Sequence, residues 1–268
     1  MPELPEVETV KNGLIKKIKG RRINTCKVLW PGIIAMPDKE TFIKKIAGEK
    51  IEDLSRRGKF ILIELTDYIL ISHLRMEGKY FIKDKEEELS KHDHVIFSLD
   101  NNKELRYNDT RKFGKMYLVE KDKLDTTPIK DLGLEPWDNN LNEDYLKRKL
   151  NKKKAIKTLL LDQSIIAGIG NIYADEILYL SKINPERNGC DLTKKNLTDI
   201  ITNTRHVLEE SIKLGGSTIH TYSSVDGVTG MFQQQLLVHG KKECPKNHKV
   251  EKIVVNGRGT YYCPKCQK

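Results

Sequence analysis

The chain has 268 residues, with 48 lysines and arginines against 38 aspartates and glutamates, which gives a formal net charge of +10 at pH 7. This length favours two domains, and no apolar run is long enough to cross a bilayer or to serve as a secretion signal, so we expect a cytoplasmic protein. The basic balance favours a polyanionic partner, and the odd cysteine count of five argues against a disulfide framework and points to metal ligation.

The first predicted element is a helix over residues 4–19. Apolar residues recur every three or four positions from Val7 to Ile18, and Gly20 stands where such a helix ends. Pro5 suits the first helical turn, and acidic residues beside it suit the positive end of the helix dipole.

From residue 21 to residue 120 the hydrophobic period changes to two, which predicts strands. Turn residues such as those at 100–102 separate the runs, and this short regular spacing favours an antiparallel β-sandwich. The clearest predicted strands are FILIEL (60–65), YILISHL (68–74), HVIFSL (94–99) and KMYLVE (115–120).

The second half of the chain is predicted to begin with helices and to end in a small polar unit. A helical period returns after residue 140, and the last 30 or so residues contain three of the cysteines. We therefore predict an α+β protein with a domain at 1–124, a linker at 125–140, a helical domain at 141–237 and a terminal unit at 238–268.

The terminal unit carries a predicted zinc site. Cys263 and Cys266 form a C-x2-C pair, which lets two thiolates reach one ion. Cys244 has no cysteine three residues later, but His248 follows one position beyond and is a competent zinc ligand. We propose these four residues as the ligands of one structural zinc, against the alternative that His248 is an ordinary surface histidine.

Two turns are candidate nucleic-acid contacts. Asn256-Gly257 between β-rich runs predicts a hairpin that presents Arg258 near its tip. Between two helices, Gly170 and Asn171 form a turn in which the asparagine is expected to be the N-cap, and amides there suit a phosphate. A solvated turn arginine and a plain interhelix turn are the alternatives.

Five segments together resemble the bacterial formamidopyrimidine-DNA glycosylases. They are MPELPEVET, NDTRKFG, DQSIIAGIGNIYADE, TYSSVDGVTGMFQQQLLVHG and the cysteine-containing tail, in that order from the first residue to the last. The resemblance implies a β-sandwich flanked by helices, a helix-two-turn-helix domain and a zinc-finger hairpin. It also implies a bifunctional glycosylase and abasic-site lyase that removes 8-oxoguanine and formamidopyrimidines and cleaves the strand by β,δ-elimination.

In such a family member Pro2 would be the nucleophile after removal of Met1. An α-amino group has an ordinary pKa of about 7.7 to 8.0, whereas a lysine near 10.4 is almost wholly charged at neutral pH. The resemblance makes Glu3 the general acid and base and gives Glu6 a supporting role. Lys59 and Arg258 complete the implied catalytic set as contacts to the flanking phosphates.

The resemblance further implies contacts to double-stranded DNA that contains oxidised bases. Met76 would fill the space of a flipped nucleotide, Phe113 would enter the base stack and Arg111 would contact the orphaned cytosine. His73 and Asn171 would hold phosphates, and the DNA would lie across an interdomain cleft. A monomer associated with the nucleoid is expected.

The loop GGSTIHTYSS resembles the family's lid over the flipped base, with Glu77 as a further pocket candidate. The zinc knuckle departs from the family pattern, because C-x3-H replaces the first C-x2-C, and Cys26 and Cys190 lie outside it. Two alternatives remain open at this point: a sister glycosylase for oxidised pyrimidines, and a zinc-containing DNA-binding protein without catalysis.

Overall fold

The computed structural model of the chain describes residues 1–217 and 230–268. The chain divides into two compact units: unit 1 contains Met1–Lys130 and Ser217–Gly230, and unit 2 contains Asp131–Gly216 and Met231–Lys268. Most of the predicted lid loop, from residue 218 onward, lies outside the described residues. Within the described ranges, no helix is both long and apolar enough to span a bilayer.

Unit 1 begins with α1 (Leu4–Ile18), which confirms the helix expected at 4–19. Glu3 is its N-cap and Pro5 occupies the first turn, where a missing N–H costs nothing. The buried face of α1, which includes Val7 and Leu14, packs on two later strands, Ile51–Arg57 and Phe60–Leu65. Burial of this apolar stripe holds the N-terminal end of the helix in place.

The remaining elements of unit 1 are mostly strands, and all four strands named from the sequence are present. In chain order they are β1 (Ile23–Val28), β2 (Ile34–Met36), α2 (Lys39–Ile46), β3 (Ile51–Arg57), β4 (Phe60–Leu65), β5 (Tyr68–His73), β6 (Lys79–Asp84), β7 (Asp93–Leu99), β8 (Lys103–Asn108) and β9 (Lys115–Glu120).

The strands form two sheets that share one core. The orders are β1-β7-β8-β6 and β2-β9-β5-β4-β3. Phe97 and Leu105 from the first sheet and Ile63 and Leu118 from the second belong to the same buried cluster. Alternation of apolar and polar residues therefore produces the predicted two-layer sandwich.

Two features of unit 1 differ from the sequence prediction. Helix α2 interrupts a region predicted as strands. The sequence prediction missed it because its only buried positions, Phe42 and Ile46, are too few to show a helical period. Asp38 caps this helix by accepting a hydrogen bond from the Thr41 backbone N–H at 3.0 Å. The short β2 also pairs with β9 in parallel, whereas every other pair in unit 1 for which a register is described is antiparallel.

Unit 2 contains helices followed by a two-stranded hairpin, as the sequence predicts. Its elements are α3 (Glu143–Leu150), α4 (Ile156–Leu160), α5 (Asn171–Leu180), α6 (Lys194–Lys213), β10 (Glu251–Val255) and β11 (Arg258–Tyr262). Gly215 and Gly216, with φ of 75° and 84°, follow α6 and end it in the left-handed region. The predicted linker at 125–140 contains short 3₁₀ turns, and the first of the three chain crossings between the units, after Lys130, falls within it.

Candidate active site

The N-terminal end of α1 gathers the three residues predicted to carry the chemistry. Pro2 is buried, and Glu3 and Glu6 are 2% and 3% exposed. The backbone N–H of Glu3 donates to Glu6 Oε2 at 2.9 Å. The other oxygen of this carboxylate, Oε1, accepts bonds from the backbone N–H (2.7 Å) and the hydroxyl (3.2 Å) of Ser217.

Glu6 therefore acts as a fixed acceptor for donors from two separate parts of unit 1. Ser217 was not predicted, since it lies 211 positions away and only the tertiary fold brings it to Glu6.

Lys59 lies in the turn between β3 and β4, which is tied to α1. Arg56 Nε donates to Glu8 Oε2 at 2.8 Å, and its Nη1 donates to the carbonyl of Gly58 at 2.8 Å. Burial raises the pKa of Glu8, but hydrogen bonds and charges from Lys11 and Arg56 outweigh this and leave the pKa below its usual value. The turn that positions Lys59, itself 6% exposed, is thus attached to the helix that positions Glu3.

His73 ends β5 and is a neutral hydrogen-bond donor. It faces Phe60 across the sheet, with ring centroids 4.5 Å apart, and its Nδ1 accepts the Arg75 backbone N–H at 3.0 Å. Because Nδ1 is an acceptor, the ring proton of neutral His73 lies on Nε2. Burial, followed by the charges of Arg75 and Lys59, lowers the pKa of His73 to about 3.

Two exposed loops of unit 1 carry the residues predicted to enter DNA. One, at 74–78, presents Met76, which is 38% exposed; the other, at 109–114, presents Phe113, which is 49% exposed. The guanidinium carbon of Arg111 lies 4.7 Å from the centre of the Phe113 ring. Arginine and phenylalanine therefore form one stacked pair at the surface.

Tyr107 lies beneath both loops and was not predicted. A Cβ added to Gly78 would meet the Tyr107 hydroxyl at 2.3 Å, and one added to Gly114 would meet it at 1.6 Å. Both loops thus need glycine in order to lie against this buried side chain. The glycines in HLRMEG and RKFG indicate that a close contact is possible at these positions. The sequence alone does not show that the contacting side chain is Tyr107.

In unit 2 the hairpin that carries Arg258 is bonded to α4 and α5. Asn171 Nδ2 donates to the carbonyl of Gly259 at 2.9 Å, and Lys157 Nζ donates to the same oxygen at 3.2 Å. The prediction that Asn171 is an N-cap is wrong: Gly170 is the N-cap and α5 begins at Asn171. The side-chain amide of Asn171 bonds the hairpin instead. The exposed Arg258 therefore lies next in the chain to Gly259, whose carbonyl is held by these two bonds.

A buried charged group reinforces this attachment. Asp175 Oδ1 lies 2.6 Å from Lys157 Nζ, and both side chains are fully buried. Asp175 Oδ2 lies 2.7 Å from His239 Nδ1 and accepts the Tyr261 backbone N–H at 3.1 Å. Because these residues are far apart in sequence, no local pattern could have indicated the network.

The four predicted zinc ligands are brought together at the base of the hairpin. Ligand atoms from Cys244, His248, Cys263 and Cys266 all lie within 4.8 Å of one another. The Cys244 and Cys266 sulfurs are 4.0 Å apart, and His248 Nδ1 is 3.3 Å from the Cys266 sulfur. Zn–S and Zn–N bonds in a tetrahedron require ligand separations of about 3.8 Å and about 3.5 Å, so the geometry fits one zinc ion.

The chemistry of the sulfurs also fits a cation. Burial raises the pKa of Cys266 to about 11, and the neighbouring thiols of Cys263 and Cys244 add to this. At Cys244 burial also acts to raise the pKa, but N–H donors from Lys246 and His248 outweigh it and the pKa falls to about 7. Three adjacent thiolates repel one another, and a divalent ion removes that repulsion.

Comparisons with known proteins agree along the whole chain. The sequence model of the formamidopyrimidine-DNA glycosylase N-terminal domain matches residues 1–116, and that of the H2TH domain of the same enzyme matches 132–223. A third model, described as a zinc finger found in FPG and IleRS, matches residues 248–268. Its match begins at His248 and so does not include Cys244, which was predicted from the sequence and lies with the other three ligands in the structure.

Full-length relatives and solved structures show the same similarity. The formamidopyrimidine-DNA glycosylases of Shouchella clausii and Bacillus subtilis are 46% and 44% identical over 273 residues, which cover 100% of this chain and 99% of each relative. A Lactococcus lactis FPG mutant in complex with a Fapy-dG containing DNA matches with a TM-score of 0.94 at 40% identity over 100% of both chains. Lactococcus lactis Fpg in complex with an abasic site containing DNA gives 0.93 at 40% identity over 99% of each chain.

Replacement of the fourth zinc ligand tests the metal centre. In His248→Ala we expect zinc affinity to fall by more than the roughly 10- to 100-fold that loss of an outer-shell partner costs, because a direct ligand is removed. Zinc content is measured by atomic emission after dialysis against a graded chelator. His206→Ala, the same change at an exposed histidine, is the matched control; equal zinc retention in both variants would exclude His248 as a ligand.

The buried neutral state of His73 predicts a pH dependence of stability. The pKa of His73 is about 3 in the folded chain, against an ordinary value near 6.5. Between these two pH values, His73 is therefore protonated in the unfolded chain and neutral in the folded chain. The free energy of unfolding should fall as the pH drops below about 6.5, at up to about 1.4 kcal/mol per pH unit from this group.

Urea unfolding of the wild type and His73→Gln between neutral and mildly acidic pH measures this contribution. His73→Gln should lose that component of the slope, whereas His206→Gln, changed at an exposed histidine, should keep it. Identical slopes for the wild type and His73→Gln would show that His73 does not resist protonation.

Proposed function

The chain belongs to the formamidopyrimidine-DNA glycosylase family, and from that premise we propose that its Pro2 nitrogen, once Met1 is removed, is the nucleophile of the reaction. As a member it is a DNA glycosylase and abasic-site lyase of base excision repair that acts on oxidised purines. The observation that carries the proposal is the buried cluster of Pro2, Glu3 and Glu6 at the N-terminal end of α1.

In the proposed reaction the Pro2 amine attacks C1′ of the damaged nucleotide. The bond from C1′ to the base breaks, and the base leaves with a proton. Because the amine is secondary, its condensation with the opened sugar gives an iminium that stays positively charged without a further proton loss. This cation acidifies the C2′ hydrogen, whose removal expels the 3′ phosphate; a second elimination expels the 5′ phosphate.

Glu3 is the proposed carrier of these protons. It is adjacent to Pro2 in the chain, and a positioned acid or base contributes about 10²- to 10⁴-fold to the rate of such steps. Glu6 holds the Glu3 backbone at 2.9 Å, and therefore fixes the direction in which the Pro2 nitrogen and the Glu3 carboxyl point.

Duplex DNA containing an oxidised base is the proposed partner, and each unit supplies phosphate contacts. In unit 1 these are Lys59 and His73, the latter through its Nε2–H. In unit 2 they are Arg258 and the second amide hydrogen of Asn171, the first being donated to Gly259. The net charge of +10 supports strong, salt-dependent binding, since each neutralised phosphate releases condensed counterions.

The nucleotide must leave the stack before Pro2 can reach its sugar, and exposed side chains of unit 1 are proposed to replace it. Met76 fills the vacated space, and Phe113 enters between neighbouring bases while Arg111 contacts the orphaned cytosine. Unstacking a base step costs a few kcal/mol, which the contacts to the bent duplex offset.

The zinc ion has a structural role, because all four ligands come from the segment that forms and supports the hairpin. When bound, it would fix the two knuckles from which β10 and β11 extend and so preserve the position of Arg258.

The related Lactococcus lactis structures, which contain Fapy-dG or an abasic site in DNA, support this substrate class. We propose that the protein acts as a monomer, since one chain holds one complete set of the proposed catalytic residues, and that it works in the cytoplasm on the nucleoid.

Reductive trapping tests the nucleophile. Borohydride added during turnover on an 8-oxoguanine duplex should reduce the iminium and leave the protein covalently attached to DNA through the Pro2 nitrogen. In Pro2→Gly the rigid secondary amine becomes a flexible primary amine, and we expect trapping to fall by about a hundredfold, the cost of a small misplacement of reacting groups.

Protease digestion and mass spectrometry of the trapped complex locate the adduct. Pro128→Gly makes the same change in a turn outside the proposed site and should trap like the wild type. An adduct on an internal lysine such as Lys59 or Lys157 would contradict the assignment of Pro2.

A further inference from the structure

The loop that presents Arg111 and Phe113 is built around a single buried carboxylate. Asp109 follows β8 and is 0% exposed, whereas the next four residues are exposed. Its Oδ1 accepts the Arg111 backbone N–H at 2.9 Å. Its Oδ2 accepts the backbone N–H groups of Phe113 (2.9 Å) and Gly114 (2.8 Å). One side chain therefore fixes the backbone on both sides of the exposed tip.

The backbone of Asp109 is held equally firmly. Its N–H donates to the carbonyl of His92 at 3.0 Å, and its carbonyl accepts a bond from His94 Nε2 at 2.8 Å. The Tyr107 hydroxyl donates to Oδ2 over a longer distance, 3.4 Å. The carboxylate is thus attached to the sheet, and the loop is attached to the carboxylate.

The loop needs this support because its conformation is unfavourable by itself. Lys112, at the tip, has φ of 58°, in the left-handed region that residues other than glycine rarely adopt. A ring of N–H donors around an anion is a stable arrangement that can hold such a backbone. The side chains at the tip then point outward: Arg111 stacks on Phe113, and the Lys112 ammonium lies 4.0 Å from the centre of the Trp30 ring.

We propose that Asp109 is the positioning residue for opposite-base recognition: by binding the amides of Arg111, Phe113 and Gly114 it sets where the arginine meets the orphaned base. The inference rests on the proposed function of Arg111 and Phe113. It assigns Asp109 no contact with DNA and no part in proton transfer.

Chemistry explains why the residue is an aspartate. All the donors that face the side chain are N–H or O–H groups, so both side-chain atoms must accept. Asparagine has the same size, but an NH2 group replaces one of the two carboxylate oxygens. This donor would face at least one of the backbone N–H donors and could not accept its hydrogen bond. Asp109→Asn should therefore release one side of the loop while the sheet beneath it stays folded.

The experiment compares cleavage of 8-oxoguanine opposite cytosine with cleavage opposite adenine. An arginine contact to a base edge contributes discrimination of about 5- to 150-fold. In Asp109→Asn we expect most of this preference to be lost, as in Arg111→Ala. Cleavage of an abasic site in a single strand should stay within about twofold of the wild type, because that substrate has no orphaned base to contact.

Asp93→Asn is the matched control, since Asp93 is also a buried aspartate of unit 1 but accepts bonds from the Asn108 side chain (2.8 Å) and the Ser90 N–H (2.9 Å). It should lower stability and keep the wild-type preference. If Asp109→Asn does not fold, Gly114→Ala displaces the same loop, because its Cβ would lie 1.6 Å from the Tyr107 hydroxyl, and should show the same loss of preference.

The outcomes separate the inference from the function on which it rests. A folded Asp109→Asn, or a folded Gly114→Ala in its place, that keeps the wild-type preference while Arg111→Ala loses it would overturn the role of Asp109 alone. Unchanged preference in Arg111→Ala would overturn both the role of Arg111 and the inference. Equal losses on duplex and single-stranded substrates would show that Asp109 only stabilises the fold.

Discussion

The structure depends on a constraint that its proposed nucleophile imposes: once Met1 is removed, the Pro2 amine has no preceding residue to hold it. An internal catalytic residue is held from both sides, whereas Pro2 can be held only from its C-terminal side. Burial of the apolar face of α1 supplies the first restraint, and the Glu6 carboxylate supplies the second by bonding the Glu3 N–H at 2.9 Å. A region that is frayed in most proteins is thereby made rigid.

The same physical device recurs in both units, where buried carboxylates bind main-chain N–H groups. Asp109 accepts three loop amides in unit 1, and Asp175 accepts the Tyr261 N–H in unit 2. Glu176 accepts the amides of residues 237–239, even though burial raises its pKa. Each carboxylate is buried and each bonds main chain, so the loops gain fixed backbones without losing exposed side chains.

Several buried carboxylates organise the backbone, and over the whole chain the 48 lysines and arginines outnumber the 38 aspartates and glutamates. Burial and the adjacent cations keep His73 neutral, which suits the hydrogen bond that it is proposed to donate to a phosphate while Lys59 supplies the charge. The net positive charge favours a polyanionic partner, and buried carboxylates fix two of the loops proposed to contact it.

The features that could be predicted from the sequence alone are local ones. The period of apolar residues located α1 and the strands of the sandwich, Asn256-Gly257 located the hairpin, and the spacing of Cys263 and Cys266 located half of the zinc site, because each of these signals lies within a few residues. Helix α2 was missed because its amphipathic pattern is too short. The roles of Pro2 and Glu3 came from resemblance, since no physical pattern in MPELPEVET separates a catalytic end from a well-capped helix.

Only the tertiary structure placed Ser217 on Glu6, Tyr107 beneath both loops and Asp175 between Lys157 and His239. Such contacts join residues up to 211 positions apart, and they depend on how the elements that carry them pack together.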